Sequence, residues 1–111
     1  MSALSAIAPE FVAEVAAALS SAGRADLVPQ LASGVMERWT YDPEADAGNI
    51  YFVRPRPSWH FEKLSRPVAE TISFDPDNGF YIDVDHDGHI FGIEYIGRPD
   101  VLAKLKHANA L

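Results

Sequence analysis

Between Phe80 and Tyr95 apolar and polar residues alternate about a single Asp-Gly pair, and no helix can absorb that pattern. Phe80, Ile82 and Val84 recur at every second position before the pair, and Phe91, Ile93 and Tyr95 do so after it. That is strand spacing, because successive side chains of a strand point to opposite faces. Asp87-Gly88 is the strongest kind of short hairpin signal, since both residues tolerate the positive φ that tight turns demand. A two-residue turn there predicts His86 opposite His89, Val84 opposite Phe91, Ile82 opposite Ile93 and Phe80 opposite Tyr95. Six apolar side chains then share one face, and Asp83, Asp85 and Glu94 share the other. A slip of one residue would set Glu94 beside Phe80 and scatter the apolar set.

The same stretch also spells a calcium loop. Asp83, Asp85, Asp87, Gly88 and Glu94 fit the EF-hand spacing D-x-[DN]-x-[DN]-G-x5-E, with the His89 carbonyl at position seven. An EF-hand needs a helix on each side of that loop. The entering helix would have to pass Pro76 and Asn78-Gly79, and the exiting one Gly92, Gly97 and Pro99. Neither helix can form. The expectation is therefore a hairpin turn with a solvated acidic face and no cofactor. Calcium held by Asp83, Asp85, Asp87, His89 and Glu94 is the alternative.

The rest of the chain supplies the partners of this hairpin. Phe11, Val12, Val15 and Leu19 form one stripe at helical period, which predicts a helix over 9–22 opened by Pro9 and closed by Gly23. A short helix follows at 26–33, with Asp26 as its cap, Pro29 in its first turn and Gly34 after it. The two make a helical hairpin over 1–34. From Val35 the period becomes two. In residues 35–41 Val35, Glu37, Trp39 and Tyr41 fall on one side, and Met36, Arg38 and Thr40 on the other. Further strands are expected at 49–54, 68–74, 80–86 and 89–96, with turn chemistry at 42–48 and 75–79. Pro99 opens a last helix, placed within 98–108, with Asp100 at its start and Lys104, Lys106 and His107 toward its end, as the helix dipole prefers. The fold class is α+β: a five-stranded antiparallel meander over 35–96, with the helical hairpin before it and one helix after it.

Composition bounds the function. At 111 residues the chain suffices for one core and one domain. Cysteine is absent, which excludes disulfides, thiolate zinc sites and a cysteine nucleophile, and suits a cytoplasmic setting. A formal net charge of −7 repels phosphate backbones, so nucleic acid is not an expected partner and a basic protein is. The apolar N-terminal run lacks a basic leader and is interrupted by Glu10 and Glu14, and no stretch reaches the roughly 18 apolar residues of a membrane span.

Few residues suggest chemistry. His86 and His89 flank one turn, while His60 and His107 lie elsewhere; with nearby carboxylates they resemble a zinc or nickel ligand set, but two turn histidines are ordinarily plain surface residues. Asp83 and Glu94 would need a pocket to act as acid and base, and no nucleophile elbow, P-loop or dinucleotide fingerprint is present. The proline-bounded segment 55–67 carries Trp59 and Phe61 beside His60, either as an aromatic anchor for a partner or as a cap on the core.

Two segments resemble a known family. "WTYDPEADAGNIYF" (39–52) and "YIDVDHDGHIFGIEYIG" (81–97) look like the two hairpins of the bacterial domain-of-unknown-function family numbered 2283. The likeness rests on Tyr41 to Ala47, on the acidic turn from Asp85 to Gly88, and on Gly92, Ile93 and Glu94. It implies that the Asp-rich turn is a family hairpin, and it brings no catalytic residue. Some members look like the non-toxic partner in toxin–antitoxin-like gene pairs.

The expectation for function is a non-enzymatic, cytoplasmic protein-binding module, antitoxin-like or immunity-like, with Asp83, Asp85, Glu94, Trp59 and Phe61 as contacts. A calcium-binding module is the first alternative, and a small ligand carrier or enzyme with a pocket between sheet and helices is the second. A second copy of the chain is a further candidate partner, because one sheet face is left uncovered.

Overall fold

The computed structural model describes residues 2–55 and 67–110. The expectations for Trp59, His60 and Phe61, and for most of the segment 55–67, lie outside those residues. Four helices, α1 (Leu4–Ile7), α2 (Pro9–Ser21), α3 (Val28–Ser33) and α4 (Pro99–Ala110), accompany five strands: β1 (Met36–Asp42), β2 (Ala47–Phe52), β3 (Val68–Ile72), β4 (Phe80–Asp85) and β5 (Ile90–Ile96). The predicted α+β class holds. The strands form one antiparallel, meander-like sheet in the spatial order β1-β2-β5-β4-β3. Its departure from chain order lies between β2 and β3, which have two strands, β5 and β4, between them, so that β5 runs down the middle of the sheet.

The expected α2 stripe faces inward: Phe11, Val12, Val15 and Leu19 are all buried. Gly23 adopts φ 76°, which lets the Arg24 N–H donate to Leu19 O at 2.8 Å and the Gly23 N–H to Ser20 O at 3.2 Å, closing the helix end. Asp26 does not cap α3. It lies in a 3-10 turn, Ala25–Leu27, and its carboxylate accepts from Arg24 Nε at 3.3 Å. The short α1 has no periodic signal long enough to read, yet Leu4 is fully buried, and the Leu4 N–H donates to Gly34 O at 3.1 Å.

These helical residues share one core with the inner sheet face, where Ile50, Phe52, Ile72, Phe80, Ile82, Val84, Ile90, Ile93 and Tyr95 are buried, joined by Val101 and Leu105 of α4. Each such side chain contributes about 1.5–3 kcal/mol by leaving water. Three register shifts interrupt the simple alternation, one of them in β3 between Val68 and Glu70, and the other two reorient side chains of the two faces. In β1 the register shifts between Met36 and Arg38, so Met36 turns inward with Trp39 and Tyr41, and Glu37 is left exposed. In the β4–β5 hairpin the lower pairs hold, Phe80 with Tyr95 and Ile82 with Ile93, but Val84 pairs with Ile90 and not with Phe91. Ile90 therefore enters the core, and Phe91 turns out.

The turn explains that shift. The Gly88 N–H donates to Asp85 O at 3.1 Å, the Asp85 N–H donates to His89 O at 2.8 Å, and Gly88 has φ 80°. This is a three-residue loop closed by a left-handed glycine, one residue longer than the expected Asp87-Gly88 turn.

Candidate functional site

The helices cover one face of the sheet. The other is built from two rows of side chains running across the strands. The first row follows the register Arg38, Tyr51, Gly92, Asp83, Thr71, and the second Thr40, Asn49, Glu94, Tyr81. Among the described residues no helix covers these rows. Arg38, Thr40 and Thr71 are exposed, and Asn49, Tyr51, Tyr81, Asp83 and Glu94 are half-buried by one another.

The chemistry of the face is divided. At the β3–β4 side, Asp83 and Glu94 share an open depression of about 540 Å³ with Thr71, Ser73 and Tyr81. The Thr71 hydroxyl donates to Asp83 Oδ1 at 2.6 Å. Toward β1 and β2 the face is cationic and aromatic. The Arg38 guanidinium lies 4.0 Å above the Tyr51 ring, Tyr51 meets Phe91 edge-to-face at 5.7 Å, and the Arg54 guanidinium lies 4.4 Å above Phe91. Phe91 joins this stack only because the bulge turns it outward.

Asp85 is not solvated as the simple hairpin register expects: at the turn end of β4 it is 3% exposed. Its Oδ1 accepts the N–H groups of Asp87 and His89, each at 2.9 Å, and its Oδ2 accepts from Arg54 Nη1 at 2.7 Å. The carboxylate thus closes the hairpin loop and anchors the arginine that covers Phe91. His89 Nδ1 is buried without a hydrogen-bond partner among the described residues, 3.8 Å from the same carboxylate.

The calcium motif is dispersed by this arrangement. The Asp83 carboxylate accepts from Thr71, the Asp85 carboxylate is taken up by Arg54 and the turn N–H groups, and the His89 carbonyl accepts the Asp85 N–H. Among the described residues no group of three or more His, Cys, Asp or Glu side chains stands where it could hold a metal ion. Among the described residues, one cleft between sheet and helices, of about 240 Å³, is lined by Gln30, Gly34, Phe52, Arg54 and His89, among others. There Gln30 spans α3 and the hairpin, donating to Gly88 O at 3.0 Å and accepting from the Ile90 N–H at 3.0 Å.

Asp83 and Glu94 thus line one open depression, whereas Asp85 is buried against Arg54. Arg38, Tyr51, Phe91 and Arg54 are the face residues that the sequence reading passed over. Arg38 and Tyr51 occupy outward positions of strands, and that periodicity was the available signal for them. No helix of the described residues is long and apolar enough to cross a membrane.

A helix-backed antiparallel sheet with one amphoteric outer face defines a small α+β domain whose features all lie between β1 and β5. Residues 38–97, just over half of the chain, match the family described as "Protein of unknown function (DUF2283)", and the chain belongs to that family. The match spans the sheet, leaving α1 to α3 and α4 outside it. No curated protein and no solved structure matches the chain.

Proposed function

We propose that the chain is a cytoplasmic, non-enzymatic protein-binding module whose contact surface is the outer face of the sheet. The observation that carries this reading is the face itself: two rows of tyrosine, asparagine, threonine, arginine and carboxylate side chains that no helix covers among the described residues. Tyrosine and arginine are the residue types that contribute most at protein interfaces, and a flat sheet presents them on a rigid support. The carboxylates of Asp83 and Glu94 select a partner that offers basic side chains, which the net charge of −7 also favours by steering. An antitoxin-like or immunity-like role is the form of such binding that the family resemblance suggests.

The test is co-purification from the native host of wild type and of a double variant, Asp83→Ala with Glu94→Ala. The expected result is one stoichiometric basic partner, held more weakly by the double variant and with a shallower salt dependence. Equal capture by both proteins refutes the assignment of the face.

A further inference from the structure

We propose that Asn78 is a self-modification site, an asparagine that cyclises onto Gly79 and becomes aspartate or isoaspartate, and that the folded chain holds it shut through Arg98. The inference is independent of the outer sheet face and begins from sequence chemistry. Asn78 is followed by glycine, whereas Asn49 is followed by Ile50 and Asn109 by Ala110. A peptide nitrogen can attack the side-chain carbonyl of the asparagine before it, and glycine leaves that nitrogen unshielded and its backbone free to turn. The bond from Gly79 N to Asn78 Cγ forms as the Cγ–Nδ2 bond breaks, and ammonia leaves with the proton of the Gly79 N–H. Water then opens the five-membered imide. Cleavage of the new bond gives aspartate, and cleavage of the bond from Gly79 N to the Asn78 main-chain carbon gives isoaspartate.

The fold pins the peptide plane that has to turn. Asn78 ends a 3-10 turn, Pro76–Asn78, and Gly79 follows it with φ 71°. At one end of the plane the Gly79 N–H donates to Pro76 O at 3.2 Å, and at the other Asn78 O accepts from Arg98 Nη1 at 2.7 Å. To reach Asn78 Cγ the nitrogen has to swing out of the turn, which breaks both bonds. Gly79 O is held as well, by the Ile96 N–H at 2.9 Å, and a Cβ on Gly79 would lie 2.5 Å from Ile96 O.

Arg98 is a firm anchor for this plane. Its guanidinium also donates to both carboxylate oxygens of Glu14 on α2, at 2.8 and 3.0 Å, and to both of Asp100 on α4, at 2.9 and 3.0 Å. With the Asn78 carbonyl, those bonds occupy all five N–H donors of the side chain, which is 15% exposed. A cation on the Asn78 carbonyl also draws electrons from the Gly79 nitrogen and eases loss of its proton. That effect helps the reaction only in a plane free to turn, so the clamp prevails, and conversion proceeds through local opening of this corner. Isoaspartate routes the main chain through the side chain, lengthens it by one methylene and displaces Gly79 from Ile96. Each converted chain therefore keeps a lasting record of having opened.

Peptide mapping by mass spectrometry, with isoaspartate methyltransferase labelling, measures conversion during incubation at neutral pH. Wild type unfolded in guanidinium chloride is expected to convert at Asn78, and not at Asn49 or Asn109, at least about tenfold faster than folded wild type. Folded Arg98→Ala is expected to convert at least about threefold faster than folded wild type. Asp85→Ala, at the opposite end of β4, lowers stability by another route and is expected to convert at the wild-type rate, which separates the clamp from stability at large. If Arg98→Ala does not fold by circular dichroism, Glu14→Ala, which releases one side of the guanidinium, replaces it. Folded wild type that converts as fast as the unfolded chain overturns the inference. So does an Arg98 or Glu14 variant that converts no faster than wild type, or Asp85→Ala that converts as fast as that variant.

Discussion

Replacing Asp85 by Ala should cost about 3 kcal/mol of folding free energy, although the sequence around it reads as an exposed acidic turn. Its side chain is 1% exposed and meets three donors: the N–H groups of Asp87 and His89, and Arg54 Nη1. Removing one partner of a buried ion pair costs about 3–5 kcal/mol, because the remaining charge keeps its desolvation penalty. Arg54 is 21% exposed and Asp87 lies at the surface, so water reaches part of what is left, and the lower end of that range applies. Asp85→Asn keeps an acceptor for the two N–H groups but sets an amide donor in place of the oxygen that Arg54 meets. The two retained hydrogen bonds should make Asn cost less than Ala, about 2 kcal/mol. Urea unfolding followed by tryptophan fluorescence measures both values. A domain of this length has about 5–15 kcal/mol to lose, so the Ala variant should shift the midpoint visibly and leave the slope unchanged. If Asp85→Ala lies within about 0.5 kcal/mol of wild type, or if Asn costs as much as Ala, the account of the turn as a buried charged anchor is wrong.

Two further outcomes follow from the inner face of the sheet. The Tyr95 hydroxyl donates to Thr40 O at 2.8 Å, and burial pushes its pKa up to about 12, with a smaller contribution from Tyr41. The neutral phenol is the form the fold holds, so this contribution is complete below the unfolded value of about 10 and is lost as pH climbs toward the folded value. Absorbance titration near 295 nm should therefore show a late tyrosine step that Tyr95→Phe removes. Gly48 lies beneath that ring, and a Cβ there would strike Thr40 O and the Tyr95 hydroxyl, so Gly48→Ala should cost about 1–3 kcal/mol and lower the melting temperature by several degrees in calorimetry.

Strand periodicity made most of the sheet legible. Phe80, Ile82, Ile93 and Tyr95 pair as their spacing dictates, because a one-residue slip would expose the whole apolar set. The α2 stripe was legible for the same reason at helical period. What escaped was whatever depends on an extra residue or on a distant partner. The bulge that exchanges Ile90 for Phe91 is invisible to alternation, since both residues are apolar and either could face the core. The burial of Asp85 follows from Arg54, 31 positions away, and no local pattern reports that pairing. Strand order was hidden in the same way. The residues joining β2 to β3 do not state that β3 docks at the far edge; only the pairing of Ile50 with Ile93 does. For the candidate face, Asp83, Glu94, Arg38 and Tyr51 could be placed from their positions, whereas the arrival of Phe91 in the stack required the β5 bulge.

The central position of β5 has a consequence for synthesis. In a nascent chain β1 can pair with β2 and β3 with β4, but no strand pairing joins these two ribbons before residues 90–96 arrive between them. Until then Ile50, Phe52, Ile82 and Val84 wait with their inner faces unmatched by the strand that completes them. The last strand made is the keystone of the sheet. A chain cut short before Ile90 would present two sticky ribbons in place of a smaller version of the fold.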